Sequence, residues 1–205
     1  MTLQSAVALG FEGTKVSYGG SSSLVQLLGV HRDDLGAANI ASTVTGTAGG
    51  ETLTGDGGNN RFDGKGGGDT LIGNGGYDSY TLQRGYGQEA VANGGPSSTG
   101  PQGELDFVAG VADNQLWLSQ SAGDLLVPVM GSHDQVTVRN WFTSGTAQLQ
   151  AITTADTMRL DSSVAALVSA MASVTGINPT FDATVATQAP ADTTLQNAIA
   201  AAWHH

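Results

Sequence analysis

The 205-residue chain contains no cysteine and few basic residues. Without cysteine it can form neither disulfides nor thiolate metal sites, and it has no thiol nucleophile. Seven Lys and Arg stand against 18 Asp and Glu, which gives a formal net charge of −11 at pH 7. A chain this acidic, without a basic patch, is not expected to bind nucleic acid or an anionic membrane surface.

Long apolar runs and known catalytic motifs are also missing. No stretch is long enough for a transmembrane helix, and the start MTLQSAVALGFEG lacks the basic and apolar regions of a Sec signal. There is no HExxH, GxSxG or P-loop motif, and His31 and His133 are isolated. We therefore expect no enzyme activity. An active site within residues 1–36 or within a sheet at 105–142 remains the catalytic alternative.

Glycine, by contrast, is abundant, and it recurs at a fixed period from Gly46 to Thr81. Four nine-residue units follow one another: GTAGGETLT (46–54), GDGGNNRFD (55–63), GKGGGDTLI (64–72) and GNGGYDSYT (73–81). Each unit has Gly at positions 1 and 4, Glu, Asn or Asp at position 6, and Leu, Phe or Tyr at position 8. This period predicts a stacked, ion-dependent solenoid.

The residue types at these positions have a physical explanation. Glycine tolerates positive φ, so positions 1 to 6 can form a tight turn whose carbonyls point inward. Calcium binds oxygen donors of this kind together with carboxylates. Positions 7 to 9 would form a short strand with one inward apolar residue, which is Leu53, Phe62, Leu71 or Tyr80. A flexible glycine linker and a metal-free β-helix are the alternatives, and the latter would stack carboxylates without neutralising them.

The repeats resemble the GGxGxDxUx signature of RTX (haemolysin-type) proteins, a known pattern that is matched here. The resemblance implies bound Ca²⁺ and a parallel β-roll with two repeats per coil, so that turns two repeats apart stack around an ion. Glu51 would then share a site with Asp69, and Asn60 with Asp78. A third site would join Asp69 to Glu89 of GYGQEAV (85–91). The other expected donors are carbonyls at or near Gly46, Ala48, Gly55, Gly57, Gly64, Gly66, Gly67, Gly73, Gly75 and Gly76.

The residues at position 6 are not equivalent as ligands. Glu51 is longer than the usual Asp, and Asn60 carries no charge. We therefore expect the loops of Asp69 and Asp78 to bind best, and two or three ions in total.

Residues 104–142 alternate between apolar and polar residues in four segments: ELDFVAGV, NQLWLSQS, DLLVPVM and DQVTVRNWF. This alternation predicts strands. The segments resemble the haemolysin-type calcium-binding related domain that often follows RTX repeats, most closely from Asp134 through Asn140 to Trp141 and Phe142. We interpret both aromatic residues as core residues.

The C-terminal residues change character. Apolar spacing predicts one helix over 160–174, capped by Asp161 or Ser162, and a second helix capped by Asp192 with Leu195, Ile199 and Trp203 on one face. Residues 175–205 contain no Lys or Arg. Such a tail after RTX repeats is similar to type I secretion signals, which an ABC transporter reads transiently.

Together these patterns predict a mainly β protein: a parallel β-roll, then a small antiparallel β domain and C-terminal helices. The expected parts are N-terminal β segments or a cap (1–36), the roll (37–93), the related domain (104–160) and a helical tail (161–205). The expected function is that of a secreted, extracellular, calcium-folded module, the C-terminal part of a larger bacterial toxin, hydrolase or adhesin. A self-standing calcium-dependent adhesin or surface-layer element is the alternative.

Overall fold

The computed structural model describes residues 2–5, 13–17, 24–28 and 41–205. The chain divides into two compact units, residues 1–40 and 41–205. In the first unit, β1 (Thr2–Ser5), β2 (Gly13–Ser17) and β3 (Leu24–Leu28) form an antiparallel sheet in sequence order. The capping role expected for residues 1–36 stays a prediction, because much of this segment lies outside the described residues.

The second unit contains two six-stranded sheets and two helices. In order across each sheet, the strands are β15-β14-β10-β8-β6-β4 and β11-β12-β13-β9-β7-β5. Their bounds are β4 Ser42–Thr45, β5 Thr52–Thr54, β6 Asn60–Asp63, β7 Thr70–Ile72, β8 Ser79–Leu82, β9 Gln88–Ala92, β10 Glu104–Phe107, β11 Ser119–Ser121, β12 Asp124–Pro128, β13 Gln135–Val138, β14 Ala151–Thr153 and β15 Arg159–Leu160. The protein is therefore mainly β, as predicted.

Consecutive strands from β4 to β10 alternate between the two sheets, and within each sheet they pair in parallel. The register aligns Phe62 with Tyr80 in one sheet and Leu53 with Leu71 in the other, each pair two nine-residue units apart. One turn of the chain through both sheets thus uses two units.

Both sheets are mixed, and this corrects the expectation of a separate antiparallel β domain. Strands β10 and β14 extend one sheet in parallel, and β13 pairs in parallel with β9. Within these two sheets of residues 41–205, the antiparallel pairs are β11–β12, β12–β13 and β14–β15. The segment from 104 to 160 therefore continues the sheets of the repeats, because its apolar residues complete the same core.

The predicted strand NQLWLSQS forms only at its end. A 3-10 turn occupies Asp113–Gln115, where the Gln115 side chain accepts a hydrogen bond from the Ala112 N–H at 3.0 Å. Leu116 makes a single antiparallel bridge to Val129 before β11 begins. The local cap thus replaces the first half of the expected strand.

The core lies between the two sheets, where the inward residues of the repeats meet. Phe62, Leu71 and Tyr80 are completely buried, whereas Leu53 is partly buried. Trp141 is also buried in this core, and Phe142 packs against it. The apolar position 8 of the repeat is thus the residue that fills each coil.

Helices α1 (Val164–Ile177) and α2 (Thr193–Ala202) pack against each other. The cap predicted at Asp161 or Ser162 is wrong: Leu160 belongs to β15, and α1 begins after Ser163, which makes no side-chain cap. The Asp192 cap is confirmed, because its Oδ1 accepts the Leu195 N–H at 2.9 Å. In the described part of the chain, neither helix has the length and apolarity that a membrane span requires.

Candidate calcium site

The glycine turns connect the two sheets and form two stacks. The first stack contains turns 46–51, 64–69 and 83–87, and the second contains turns 55–59, 73–78 and 93–103. Main-chain bonds join neighbouring turns: the Thr70 N–H donates to the Glu51 carbonyl at 2.8 Å, and the Gly67 N–H donates to the Tyr86 carbonyl at 3.1 Å. Position 6 of one turn therefore lies beside position 6 of the next.

Each acidic residue at position 6 of the later turns binds the main chain of the preceding coil. Asp69 Oδ1 accepts the N–H of Glu51 at 2.7 Å, and Glu89 Oε2 accepts the N–H of Asp69 at 3.1 Å. In the second stack, Asp78 Oδ1 accepts the N–H of Asn60 at 2.9 Å. One oxygen of each carboxylate is thus used to join two coils.

The second oxygen of each of these carboxylates has no partner. Asp69 Oδ2, Asp78 Oδ2 and Glu89 Oε1 are buried and receive no hydrogen bond within the described ranges, although the Tyr80 hydroxyl, which donates to Asn93, lies close enough to Asp78 to lower its pKa. Their residues are 1%, 0% and 2% exposed. Because buried polar atoms are normally paired, and an unpaired buried charge is costly, these oxygens call for a cation or a proton.

Two of the free oxygens, those of Asp69 and Asp78, face glycines at position 1 of their own turns. A Cβ on Gly64 would lie 2.1 Å from Asp69 Oδ2, and a Cβ on Gly73 would lie 2.2 Å from Asp78 Oδ2. Carbonyls approach the corresponding glycines of the preceding coil, since a Cβ on Gly46 would lie 2.7 Å from the Gly64 oxygen. Likewise, a Cβ on Gly55 would lie 2.7 Å from the Gly73 oxygen. Glycine at position 1 leaves room for both kinds of oxygen.

Burial also changes the acidity of these groups. It raises the pKa of Asp78 to about 7. Burial, followed by the nearby charge of Asp69, raises the pKa of Glu89 to about 7. The pKa of Asp69 is raised for the same reason, with a smaller effect from the charge of Glu51. The charged forms are therefore unfavourable in the folded chain unless positive charge lies beside them.

The turns of the first coil differ, because their position-6 side chains bond within their own turn. Glu51 Oε2 accepts the Thr47 N–H at 2.6 Å, and Asn60 Oδ1 accepts the Asp56 N–H at 3.0 Å. The backbone differs as well: positive φ occurs at Gly57 in the first coil, but at Lys65, Gly66, Gly67, Gly68, Asn74, Gly75 and Gly76 in the second. The unpaired oxygens therefore belong to the later turns.

The predicted carbonyl positions fall into two groups. The Ala48 oxygen would lie 2.8 Å from a Cβ on Gly67, and Gly57 lies near the Asn74 oxygen, so these positions face the adjacent turn. Two other glycines serve close backbone packing: Gly66 lies against Tyr86, and Gly75 against Gly95. Whether any of these residues binds calcium stays a prediction.

The available donors suit a hard cation. In residues 41–205 no group of three or more His, Cys, Asp or Glu side chains is arranged around a metal position. A site here would therefore combine one or two carboxylates with main-chain carbonyls. Calcium accepts such all-oxygen sets in flexible geometry, whereas zinc prefers nitrogen and sulfur. The unpaired carboxylate oxygens and the glycine cradles thus fit calcium.

One contact at the last turn of the first stack was not predicted from the sequence. The carboxylate of Asp134 accepts the N–H groups of Gly85 at 3.0 Å and Gly87 at 2.9 Å, and so binds the last turn of the first stack. The Gly85-x-Gly87 spacing copies that of the repeats, and Asp134 begins the motif shared with the related domain. The sequence could not show that Asp134 lies close to this turn in the fold.

A groove of about 600 Å³ lies on the outer face of the sheet that contains β6, β8 and β10. Within it, both oxygens of Asp106 accept hydroxyl hydrogen bonds, from Ser79 at 2.5 Å and from Thr153 at 2.6 Å. The described residues that line it include Arg61 but no histidine.

Comparison with known proteins identifies one segment. The family model of the haemolysin-type calcium binding protein related domain matches residues 124–163. The matched segment covers about a fifth of the chain, from the start of β12 to the residue before α1. No curated protein matches the chain. The match confirms that this part of the chain resembles the haemolysin-type calcium-binding related family, and it covers most of the predicted 104–160 segment from residue 124 onward.

Proposed function

We propose that residues 41–205 form a non-catalytic, calcium-binding RTX-like module whose repeats make a parallel β-roll. The observation that carries the proposal is the set of three buried, unpaired carboxylate oxygens, on Asp69, Asp78 and Glu89, of which the first two lie beside a glycine of their own turn. Two or three calcium ions between coils would give each oxygen a partner. The matched family segment supports the same chemistry.

Different residues of this chain would contribute different donor atoms to the calcium sites. Asp69 and Glu89 would supply carboxylate oxygens in the first stack, and Asp78 in the second, with carbonyls of turns 46–51, 64–69 and 73–78 completing the donor sets. Glu51 and Asn60 would contribute less, because both already bond within their own turns. When bound, calcium supplies positive charge between coils, which offsets the repulsion between the carboxylates.

Binding would be coupled to folding. Fixing the backbone of one residue costs about 1–2 kcal/mol, and glycine loses more freedom than other residues. Because an unfolded repeat cannot present the stacked turns, calcium stabilises the folded state by RT ln(1 + [L]/Kd), about 2.7 kcal/mol per site at a hundredfold excess over Kd. Millimolar calcium outside a cell would therefore favour folding after export.

We further propose that the module is secreted through a type I ABC transporter as the C-terminal part of a larger protein. Residues 175–205 lack Lys and Arg, as such signals do. In the folded protein, Leu195 and Ile199 of α2 are buried, and Trp203 after the helix is buried too. A transporter would therefore need to read this segment before it packs, which agrees with export of an unfolded chain.

The proposal is tested by titrating the protein with CaCl₂, followed by isothermal calorimetry and far-UV circular dichroism. Calcium should bind at two or three sites and increase the β signal, whereas MgCl₂ at the same concentration should not, because Mg²⁺ demands stricter geometry and gives up water reluctantly. Asp182→Asn is the matched control, since Asp182 is exposed and bonds only within its own loop. Identical spectra in calcium and EDTA, with no heat of binding, would refute the function.

A further inference from the structure

Asp134 makes an unusual pair of contacts at the end of the first stack. Its two carboxylate oxygens accept separate main-chain N–H groups, from Gly85 and Gly87. The residue is itself held in place: its N–H donates to Ser132 Oγ at 3.1 Å, and that hydroxyl donates to the Val129 carbonyl at 2.8 Å. A fixed carboxylate therefore binds both glycine amides of one turn.

These contacts occur where the series of position-6 carboxylates stops. Asp69 binds the main chain of the turn before it, and Glu89 does the same one coil later. The register of β9 and β13 places Val136 opposite Glu89, so the next coil offers no carboxylate there. Asp134, two residues before Val136, supplies one to the turn instead.

The turn that Asp134 binds also determines where Glu89 lies. The Tyr86 carbonyl of this turn accepts the Gly67 N–H, and a Cβ on Gly66 would lie 3.1 Å from the Tyr86 Cα. The Tyr86 hydroxyl donates to Asp63 Oδ1 at 2.9 Å. The turn is therefore held between Asp134 on one side and the preceding coil on the other, and Glu89 follows Gly87 by two residues.

We propose that Asp134 is a positioning residue for a calcium site formed by Asp69 and Glu89, an inference that rests on the proposed function. By fixing the Gly85 and Gly87 amides, it holds the turn in the conformation that presents Glu89 Oε1 toward Asp69. The related domain thereby completes the last ion site of the repeats without touching the ion. The second stack can be compared with the first in the same protein. There the residue next to Asp78 is Gly103, which has no side chain that could act as Asp134 does.

The test uses the intact chain in two backgrounds. Asp78→Asn leaves the first stack to bind calcium. Glu89→Gln removes the Asp69–Glu89 site and leaves the second stack together with the weaker Glu51–Asp69 site. In the Asp78→Asn background, Asp134→Ala should weaken calcium binding by about 10-fold in calorimetry, as loss of outer-shell partners does at other metal sites. Asp134→Asn should have an affinity between those of Asp134 and Asp134→Ala, because its carbonyl oxygen can occupy only one of the two carboxylate oxygen positions that accept the N–H groups. In the Glu89→Gln background, Asp134→Ala should change the affinity by no more than about twofold.

Asp124→Ala is the matched control, because Asp124 Oδ1 also accepts a main-chain N–H, from Asn140 at 2.7 Å, within the related domain. It should not alter calcium binding in either background. Circular dichroism at saturating calcium verifies that each variant folds. If Asp134→Ala does not fold, the comparison is made with Asp134→Asn. Equal losses in both backgrounds would show a merely structural role, and no loss in either would also overturn the inference. If the unmodified protein bound no calcium, the proposed function would fall first.

Discussion

The rings of Phe62 and Tyr80 stack across neighbouring coils, with centroids 5.1 Å apart and planes inclined by 13°. The distance is close to the ~4.8 Å separation of paired strands, so the aromatic pair follows the spacing of the ladder. Tyr80 is also anchored, because its hydroxyl donates to Asn93 Oδ1 at 3.0 Å. The pair thus joins the repeat core to the residues that follow it.

We expect Phe62→Ala to lower the free energy of unfolding in calcium by about 3–5 kcal/mol, because it removes a fully buried ring. Phe62→Leu should lower the free energy of unfolding by less, since it leaves a smaller cavity. Thermal unfolding in calcium measures the stability of both variants. Val185→Ala is the control and should change stability by less than about 0.5 kcal/mol, as its side chain is exposed. Equal stability of Phe62→Ala and Val185→Ala would contradict the core assignment.

Gly64→Ala should abolish most of the calcium response of the first stack. A Cβ there would lie 2.1 Å from Asp69 Oδ2, which is closer than any real contact and displaces the oxygen that needs the ion. Gly176→Ala in α1 is a matched control, because nothing lies within 4 Å of its Cβ position, and alanine favours helix by about 1 kcal/mol. Calorimetry with CaCl₂ compares the two. A wild-type isotherm for Gly64→Ala would rule out an ion at this turn.

Asp69→Ala and Asp78→Ala should each weaken the calcium response more than Glu51→Ala. The first two remove carboxylates with an unpaired buried oxygen, whereas the oxygens of Glu51 already accept bonds from Thr47. The three variants are ranked by the calcium concentration at which the change in ellipticity is half complete. A Glu51→Ala variant as impaired as the other two would mean that the first coil binds an ion in the same way.

The metal-free fold should be more stable at pH 5 than at pH 8. Burial raises the pKa values of Asp78 and Glu89 to about 7, from 3.8 and 4.5, so the folded state binds protons more tightly than the unfolded state. The resulting stability is complete below the unfolded pKa values and is lost as pH rises through about 7. Thermal unfolding in EDTA across this range measures the effect.

The same measurement in the Asp78→Asn, Glu89→Gln variant provides the control, since neither replacement titrates. Its stability in EDTA should vary less between pH 5 and pH 8 than that of the parent chain. In millimolar calcium the pH dependence should reverse, because protons and calcium compete for the same oxygens. An EDTA-treated protein that became more stable with rising pH would contradict the assignment of these two groups.

The repeat region was predictable because its information is local. Nine-residue periodicity indicated the inward residues Phe62, Leu71 and Tyr80, and the parallel register brought together the position-6 residues that the resemblance to RTX repeats had paired. The difference between the coils was predictable in part: the length of Glu51 and the neutrality of Asn60 indicated weaker ligands, but not that both would bond within their own turns.

The region after the repeats was less predictable, because its partners are distant in sequence. Alternation indicated strands at 104–142 but could not show that β10 and β13 would pair in parallel with β8 and β9. Nor did it find β14 and β15, whose apolar residues are few. The contact of Asp134 with Gly85 spans 49 residues, and no local pattern specifies such a contact.

Alternation of strands between the two sheets restricts how such a repeat can change in length. Adding one nonapeptide before Asp78 would send all later strands together to the opposite sheets, so β8 and β10 would stay paired but Asp78 would join the stack that contains Glu51. Adding two nonapeptides would lengthen both sheets by one strand and leave everything downstream in phase. Gains and losses of two units should therefore preserve which position-6 residues share a stack, whereas a single duplicated unit should change the stack that later residues join.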